Sequence, residues 1–354
     1  KRQELSGIIK AEMDDARDFI DQVGNERSEN TDYYLGSEPY ATSELQSEYI
    51  STDVRDSVLF MLPSIMRTFF GSKKIVEFIP HGPEDIEVAE QQTDYINYVI
   101  SQKNNGFQVM YNAFKDALVR KSGFVKAYYD EGLTVTNHSY TGLTPTQRDA
   151  LLADEEIEVV SEKGETMSRE IYDPQEQKQI TQEIPLRYDM RIRRVRRNNK
   201  VCIDAIPPEE ILIARDARTI ETASYVAHRR MMTISELVQM GYEYDEVASF
   251  AGGGNYMDPE TQIEIQARNP FSDMSGPDRP DNNEVYYVEH YLNYDLDNDG
   301  IDEKIKICTI GEGCNILDVE PCDHLPIVMF CPDPEPHTVI GSCPADYLKP
   351  IQAA

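Results

Sequence analysis

Apolar residues in the first third of the chain recur every three or four positions, the spacing that places side chains on one face of a helix. The pattern predicts four helices, over residues 1–24, 51–70, 83–104 and 107–123. Gly24 is expected to end the first helix, and Pro63 to kink or split the second. The polar stretch 25–48 predicts an extended arm or loop, and residues 75–80 predict a short strand.

After residue 123 the apolar period shortens to two, which predicts strands. The predicted strands cover residues 124–129, 133–135, 156–160, 183–195, 201–205, 284–294 and 304–310. Capping boxes that begin at Thr144 and Thr233 predict short helices ending near Ala153 and Gly241. The charged stretch 161–182 predicts a protruding hairpin or loop. Helices followed by strands indicate the α+β class and not a doubly wound sheet.

A linear division of the chain is expected from these changes in pattern. We expect a helical part over residues 1–123, an α/β part over 124–250 and a β-hairpin segment over 284–354. Residues 251–283 contain three consecutive glycines, four prolines and few apolar residues. That composition predicts a long flexible excursion between the last two parts.

Composition excludes several classes of protein. The sequence has no run of 18 apolar residues, so we expect no membrane span, and its charged start lacks the features of a signal peptide. The six cysteines form no Cys-x-x-Cys pair and have no zinc-finger spacing to a histidine. We therefore expect reduced, mostly buried thiols and a protein that is made and used in a cytoplasm.

The net charge of -30, from 64 acids and 34 bases, restricts how the chain can meet nucleic acid. A protein that binds DNA tightly neutralises phosphates with lysine and arginine, so this chain is not expected to coat itself in nucleic acid. Two interpretations stay open. The acidic surface serves solubility, or it forms a wall past which a duplex slides without adhering.

An acidic stretch at residues 295–303 is the sharpest local motif. Its candidate ligands are carboxylates at the first, third, fifth and ninth positions: Asp295, Asp297, Asp299 and Glu303. Hard oxygen ligands at this spacing suit calcium, and Gly300 permits the tight turn that brings them together. Position twelve holds Lys306 and the flanks are strands, so an EF-hand is excluded. A calcium-binding hairpin loop and a solvated acidic turn without an ion both remain.

A basic run from Arg187 to Lys200 stands out in this acidic chain, and its candidate interface residues are Arg191, Arg193, Arg194, Arg196 and Arg197. Because strand side chains alternate between two faces, Arg191 and Arg193 share one predicted face, and Met190 and Ile192 the other. The planar guanidinium suits carboxylate partners, so we predict pairing with acids of a neighbouring subunit or of the same domain. A nucleic-acid patch is the alternative.

The sequence patterns of common enzymes are missing from the chain. It has no P-loop, no Gly-x-Ser-x-Gly elbow and no His-Glu-x-x-His motif, and its six histidines are scattered. We therefore expect a structural protein with no catalytic residues and no required cofactor, calcium being the one candidate ion. A calcium-binding structural or interaction module and a metal-dependent DNA-processing enzyme are the competing functions.

Several stretches, taken in order, resemble the portal proteins of short-tailed (podovirus-type) tailed bacteriophages. The stretches that carry the resemblance are residues 51–58 leading to Leu62 and Pro63, 89–107, 115–118 followed by 122–126, 207–210, 216–217, 228–230, 233–237, 295–300 and 341–346. The likeness extends over nearly all 354 residues. The ordered series carries it, and no single motif does.

This resemblance implies a head-to-tail connector: a ring of twelve copies at one capsid vertex of the virion, assembled in the host cytoplasm. In such proteins the terminase packaging motor docks on the ring during filling, and tail adaptor proteins bind later. Capsid protein surrounds the ring, and double-stranded DNA passes through its centre during packaging and ejection. The resemblance also implies that these residues form the broad wing region and that the chain stops before the stem helix, clip and crown.

Overall fold

The structure, a computed structural model, describes residues 2–36, 51–72, 74–154, 156–173, 178–197, 199–250, 259–269, 284–296 and 299–352. The chain forms two compact units. The main unit contains Lys1–Tyr129, Val201–Val238 and Glu243–Ala354, and the hairpin unit contains Asp130–Lys200 with Gln239–Tyr242. These units are defined by packing in space, so the linear four-part division of the sequence stays a prediction.

Helices and strands alternate in blocks along the described residues. The helices are α1 (Arg2–Leu35), α2 (Asp53–Phe70), α3 (Ile86–Tyr98), α4 (Gly106–Arg120), α5 (Pro145–Leu152), α6 (Ile234–Gln239), α7 (Tyr244–Ala248), α8 (Pro259–Arg268) and α9 (Pro344–Gln352). The strands are β1 (Gly123–Asp130), β2 (Leu133–Leu143), β3 (Ile157–Asp173), β4 (Lys178–Arg197), β5 (Lys200–Ile206), β6 (Ile211–Ile213), β7 (Tyr225–Thr233), β8 (Glu284–Tyr294), β9 (Glu303–Ile310), β10 (Asn315–Pro321) and β11 (Ile327–Phe330). This content confirms the α+β prediction. No helix in the described ranges is long and apolar enough to cross a membrane.

The core of the main unit lies on both faces of a five-stranded sheet with the order β10-β9-β8-β7-β6. The apolar stripe of α1 covers one face, with Leu5, Ile9, Met13, Ala16 and Ile20 packed on Leu212, Tyr225, Tyr286 and Ile307. The three-stranded sheet β11-β1-β5 covers the other face through Phe124, Ile206 and Ile327. Strands buried on both faces carry apolar residues in succession, as in Ile211–Ile213.

Helices α2 and α4 form a second cluster in the main unit. Val58, Leu62 and Met66 of α2 pack against Phe114 and Leu118 of α4. Their spacing of three and four residues is the one that the sequence predicts. Pro63 lies within α2, and the helix continues through it to Phe70, so the expectation that Pro63 splits the helix is wrong.

Helix α1 continues to Leu35, so the prediction that it ends at Gly24 is wrong. The arm predicted over residues 25–48 is helical as far as Leu35, and its residues 37–48 lie outside the described residues. A side chain at Gly24 would bring its Cβ to 3.3 Å from the carboxyl carbon of Glu264. Gly24 therefore permits the close approach of α8, and does not end the helix.

Residues 75–80 are extended but belong to no strand, which corrects the strand prediction for this segment. Side chains of α3 take the place of a neighbouring strand. Asn97 accepts a hydrogen bond from the amide of Ile75 (2.7 Å) and donates one to the carbonyl of Val76 (2.7 Å). Thr93 accepts one from the amide of Phe78 (3.0 Å). The backbone is thus satisfied without a sheet.

The excursion predicted over residues 251–283 contains helix α8, and residues 251–258 and 270–283 lie outside the described ranges. Thr261 and Glu264 of α8 are buried. Because these inward side chains are polar, the sequence of α8 has no clear apolar stripe, and its helix was not predicted.

In the hairpin unit, a sheet with the order β2-β4-β3 is formed around the long hairpin of β3 and β4. The register runs as far as Asp173 opposite Lys178, which confirms a hairpin in the stretch 161–182. The capping box at Thr144 is present, because its backbone amide donates to the Gln147 side chain at 3.0 Å. At Thr233 the equivalent bond to Glu236 is 2.8 Å, so both predicted caps are confirmed.

Candidate functional site: the arginine-bearing sheet and the acidic turn

The predicted arginine run occupies the last residues of β4, the central strand of the hairpin unit's sheet. Met190 and Ile192 are each 2% exposed, whereas Arg191 and Arg193 are exposed. The alternation of faces that the strand period predicts is therefore present. At this part of β4, one face buries Met190 and Ile192, and the other presents Arg191 and Arg193.

Helix α5 contacts the sheet face of Met190 and Ile192 through Arg148. The guanidinium carbon of Arg148 lies 5.1 Å from the ring centre of Tyr188, and its Nε donates to the Glu162 carboxylate at 2.6 Å. A guanidinium stacked on an aromatic ring combines dispersion with cation–π attraction. These two contacts of Arg148 hold α5 against the sheet.

Two of the five arginines pair within their own unit. Arg194 forms ion pairs with Asp154 and Glu156, and Arg196 Nε lies 2.8 Å from Glu156 Oε2. Hydrogen bonding from Arg194 holds the pKa of Asp154 below its ordinary value, and hydrogen bonding to Glu156 raises the pKa of Arg196. These two arginines agree with the interpretation of pairing within one domain.

The other three arginines lie on the opposite face of the sheet. Arg191 is opposite Ser139, Arg193 is opposite Asn137 on one side and Glu158 on the other, and Arg197 is opposite Leu133. Arg191, Arg193 and Arg197 are exposed, and none forms an ion pair with any residue that the structure describes. These three exposed residues, Arg191, Arg193 and Arg197, define what we call the arginine face.

The acidic turn joins β8 to β9, as the predicted hairpin requires. Gly300 has a φ of 90°, a conformation that glycine adopts without strain. Asp295 accepts hydrogen bonds from the backbone amides of Asp299 (3.1 Å) and Gly300 (2.8 Å), and Glu303 accepts one from Leu296 (3.1 Å). The carboxylates of Asp295 and Glu303 therefore brace the turn themselves.

Of the predicted calcium ligands, Asp297 lies outside the described residues. Within the part of the chain that is described, no group of three or more His, Cys, Asp or Glu side chains has a metal-binding arrangement. Asp295, Asp299 and Glu303 belong to one short turn, as the sequence predicts. Calcium binding stays a prediction.

A buried ionic cluster in the main unit was not predicted from the sequence. Lys126 of β1 forms an ion pair with Glu289 of β8, with side chains 7% and 6% exposed. Glu289 also accepts from the Tyr291 hydroxyl at 2.8 Å, and His228 Nδ1 lies 3.4 Å from the Lys126 ammonium. His228 Nε2 in turn lies 3.2 Å from the Glu210 carboxylate.

Electrostatics in this cluster favour the charged pair. Burial raises the pKa of Glu289, but the Lys126 ammonium and His228 outweigh burial and lower it to about 2. Burial lowers the pKa of Lys126 and of His228. The cluster lies between β1 and β8, which belong to different sheets, so it fixes how the two sheets of the main unit pack.

A second buried cluster holds α8 in the main unit. Arg268 of α8 donates to Glu209 (2.8 Å) and to Asp116 of α4 (3.0 Å). Arg120 donates to the same Asp116 at 2.8 Å. A bidentate, charge-assisted arrangement of this kind is among the stronger polar contacts in proteins. The sequence signal was weak, because each of these residues occurs in a stretch that also suits a solvated helix face.

Glu264, also on α8, is buried against α1. Its Oε1 lies 3.9 Å from Nη1 of Arg27, whose side chain is 1% exposed. Burial raises the pKa of Glu264 to about 7, and Arg27 opposes that rise only in part. Arg27 also donates to the carbonyl of Pro208 at 3.2 Å, so the same residue holds α1 to the segment before β6.

None of the six cysteines, all within the described residues, forms a disulfide, and Cys202, Cys308, Cys314 and Cys343 are buried. Burial raises the pKa of Cys314 and of Cys343 to about 11. Neutral buried thiols behave as small apolar side chains. The prediction that the thiols are mostly buried is confirmed, and their reduced state stays a prediction.

Comparison with known proteins adds one match that extends over nearly the whole chain. The family model described as "Phage SU10 portal protein" matches residues 5–354. It therefore covers both compact units, with the arginine face and the acidic turn. No curated protein matches the sequence.

Proposed function

Because this chain belongs to the phage SU10 portal protein family, we propose that it assembles into a ring, with twelve copies, at one vertex of the capsid. The ring is the conduit for double-stranded DNA during packaging and ejection. It is also the docking site for the terminase motor and the tail adaptors, and it is held by the capsid protein. The family match over residues 5–354 is the observation that carries this proposal.

The portal protein family is structural and not catalytic. A conduit works through the shape and charge of its wall, so it needs no nucleophile and no general base. The net charge of -30 fits a surface that does not retain DNA, because tight DNA binding depends on lysine and arginine at the phosphates.

Lateral contacts in the proposed ring involve the arginine face of the hairpin unit. A closed ring of identical chains needs two different complementary patches on each copy. Arg191, Arg193 and Arg197 form one such patch, and the partner patch is acidic, since guanidinium groups bind carboxylates through paired hydrogen bonds. An acidic chain with 64 carboxylates offers many partners.

Reversal of one charge on the arginine face tests the lateral contact. We expect Arg193→Glu to prevent ring assembly and to give monomers, measured by light scattering and negative-stain microscopy of the full-length chain. The matched control is Arg218→Glu, the same charge change at an exposed position of the main unit. Intact Arg193→Glu rings would remove Arg193 from the interface, and a solitary wild-type chain would contradict the ring itself.

Calcium at the acidic turn remains a second proposal. It is supported by the spacing of Asp295, Asp299 and Glu303 within one tight turn at Gly300. Titration calorimetry with calcium, on the wild-type protein and on Asp297→Ala, tests it. Heat of binding that is lost in the variant supports calcium binding, whereas equal traces for the two proteins leave a solvated acidic turn.

A further inference from the structure

An open apolar groove lies along α2 in the main unit, with a volume of about 910 Å³. Its lining comes from α2, α4 and α9 and from the segment before α9, and includes Ser57, Phe60, Met61, Ile65, Pro344 and Leu348. Phe60 is 83% exposed at its edge. An exposed apolar surface of this kind marks a site of interaction with another molecule.

An apolar ridge lies beyond the other end of α2. This ridge, defined as residues 75–80, carries Val76, Phe78 and Ile79 with exposures of 36%, 40% and 85%. Asn97 and Thr93 of α3 hold its backbone extended through their hydrogen bonds to Ile75, Val76 and Phe78. The ridge is thus fixed before it meets a partner, and a fixed segment loses less conformational entropy on binding.

We propose that the ridge of one copy inserts into the groove of the next copy in the ring. This inference rests on the proposed ring and adds the surface through which neighbouring main units join. The groove and the ridge are different patches on one chain, the groove along α2 and the ridge in the segment after its last residue, which is the arrangement that head-to-tail contacts need. Repeated contacts of this kind generate a ring when the rotation closes.

Length and charge favour this occupant. From Asp56 to Ile65, nine helical steps of 1.5 Å give the groove a length of about 14 Å, which matches about four residues of extended chain. The exposed Lys74 precedes the ridge, and the exposed carboxylates Asp56 and Asp333 line the groove. Glu77 is the one acidic residue of the ridge and shares a face with Ile79, so burial of the apolar side chains has to outweigh its repulsion from the groove carboxylates.

Two exposed positions allow a test that does not disturb the fold. Ile79→Asp alters only the ridge, and Phe60→Asp alters only the groove. Burial of one such side chain is enough to change the dissociation constant of a contact about tenfold or more. We expect neither variant alone to form the ring. Light scattering measures this at a concentration where the wild-type ring is intact. Ile301→Asp, an exposed isoleucine of the acidic turn, is the matched control and should keep it.

Mixing the two variants tests the head-to-tail geometry directly. A Phe60→Asp chain keeps its ridge and an Ile79→Asp chain keeps its groove, so an equimolar mixture can form one good contact per pair. We expect dimers in the mixture and monomers in either variant alone. Rings that survive both substitutions, or a mixture that stays monomeric, overturn the ridge-and-groove contact. A monomeric wild-type protein instead contradicts the proposed function, so the two failures are distinguishable.

Discussion

Lys126 and Glu289 are opposite charges in the core of the main unit, and each one makes the other tolerable there. Removing both charges from water costs free energy, which their attraction and the Tyr291 hydrogen bond offset. At the scale of the residue, the intact pair therefore adds little net stability. Breaking it is costly, because a single buried charge without a partner is far less favourable than the pair.

Substitution of Lys126 tests this account of the pair. We expect Lys126→Met to lower the free energy of unfolding by about 3–5 kcal/mol, because Glu289 is left buried without its counter-charge. Urea denaturation measured by circular dichroism gives the size of the loss. The double variant Lys126→Met, Glu289→Leu should recover much of it, and a double variant as unstable as the single one would contradict the pairing.

The same pair sets a direction for the acid response. The pKa of Glu289 is lowered to about 2 in the folded chain, below the value of 4.5 usual for glutamate. The stability that ionised Glu289 contributes is therefore present above pH 4.5 and is lost as the pH falls towards 2. Glu289 thus contributes to acid unfolding of the main unit in that window.

At the scale of the element, helix α8 is held in place mainly by polar contacts. Glu264 meets Arg27 of α1, and the charged groups of Glu209, Arg120 and Arg229 also act on it from the neighbouring elements. Most helices of this length are held by an apolar stripe. Since the docking of α8 buries a carboxyl group that titrates, the docking depends on pH.

The sign of that dependence is opposite to the sign for Glu289. The pKa of Glu264 is raised to about 7, above the value of 4.5 that an unfolded chain has. Between pH 4.5 and 7 the unfolded state loses its proton first, so the free energy of unfolding falls, by roughly 3 kcal/mol over the window. Above pH 7 the effect is complete.

Substitution of Glu264 by a residue that does not titrate tests the predicted fall in stability with rising pH. We expect Glu264→Gln to be more stable than the wild-type protein at pH 8. Its free energy of unfolding should not show the decrease that Glu264 causes between pH 4.5 and 7. Urea unfolding at several pH values measures both effects. Glu246→Gln, a substitution of an exposed glutamate of α7, serves as the control and should have the wild-type profile. Equal pH profiles for wild type and Glu264→Gln would show that the buried carboxyl does not titrate in this range.

At the scale of the whole molecule, this member of the phage SU10 portal protein family is acidic, and its charged and apolar surface patches lie on different elements. The net charge is -30, yet the hairpin unit presents an arginine face and the main unit an apolar groove with an apolar ridge. Acidic copies repel one another, so assembly depends on local patches that overcome the repulsion. Both proposed contacts are of this local kind.

Much of the fold could be predicted from the order of apolar residues. The apolar faces of α1, α2 and α4, the alternation around Met190 and Ile192, and the caps at Thr144 and Thr233 were all predictable. The candidate sites were only partly so. The arginine run was visible in the sequence. Arg194 pairs within its unit and Arg193 pairs with no residue that the structure describes, and this division depends on where Asp154 and Glu156 lie in space.

Local sequence patterns were sufficient to predict the elements that local interactions determine. Apolar periodicity and capping side chains involve residues only a few positions apart. Long-range packing was needed for the second half of α1, helix α8 and the ion pair of Lys126 with Glu289. In each of these, buried polar side chains find their partners in distant parts of the chain. The sequence does not distinguish a charged residue in the core from one on the surface, because the partner that makes burial possible comes from a distant part of the chain.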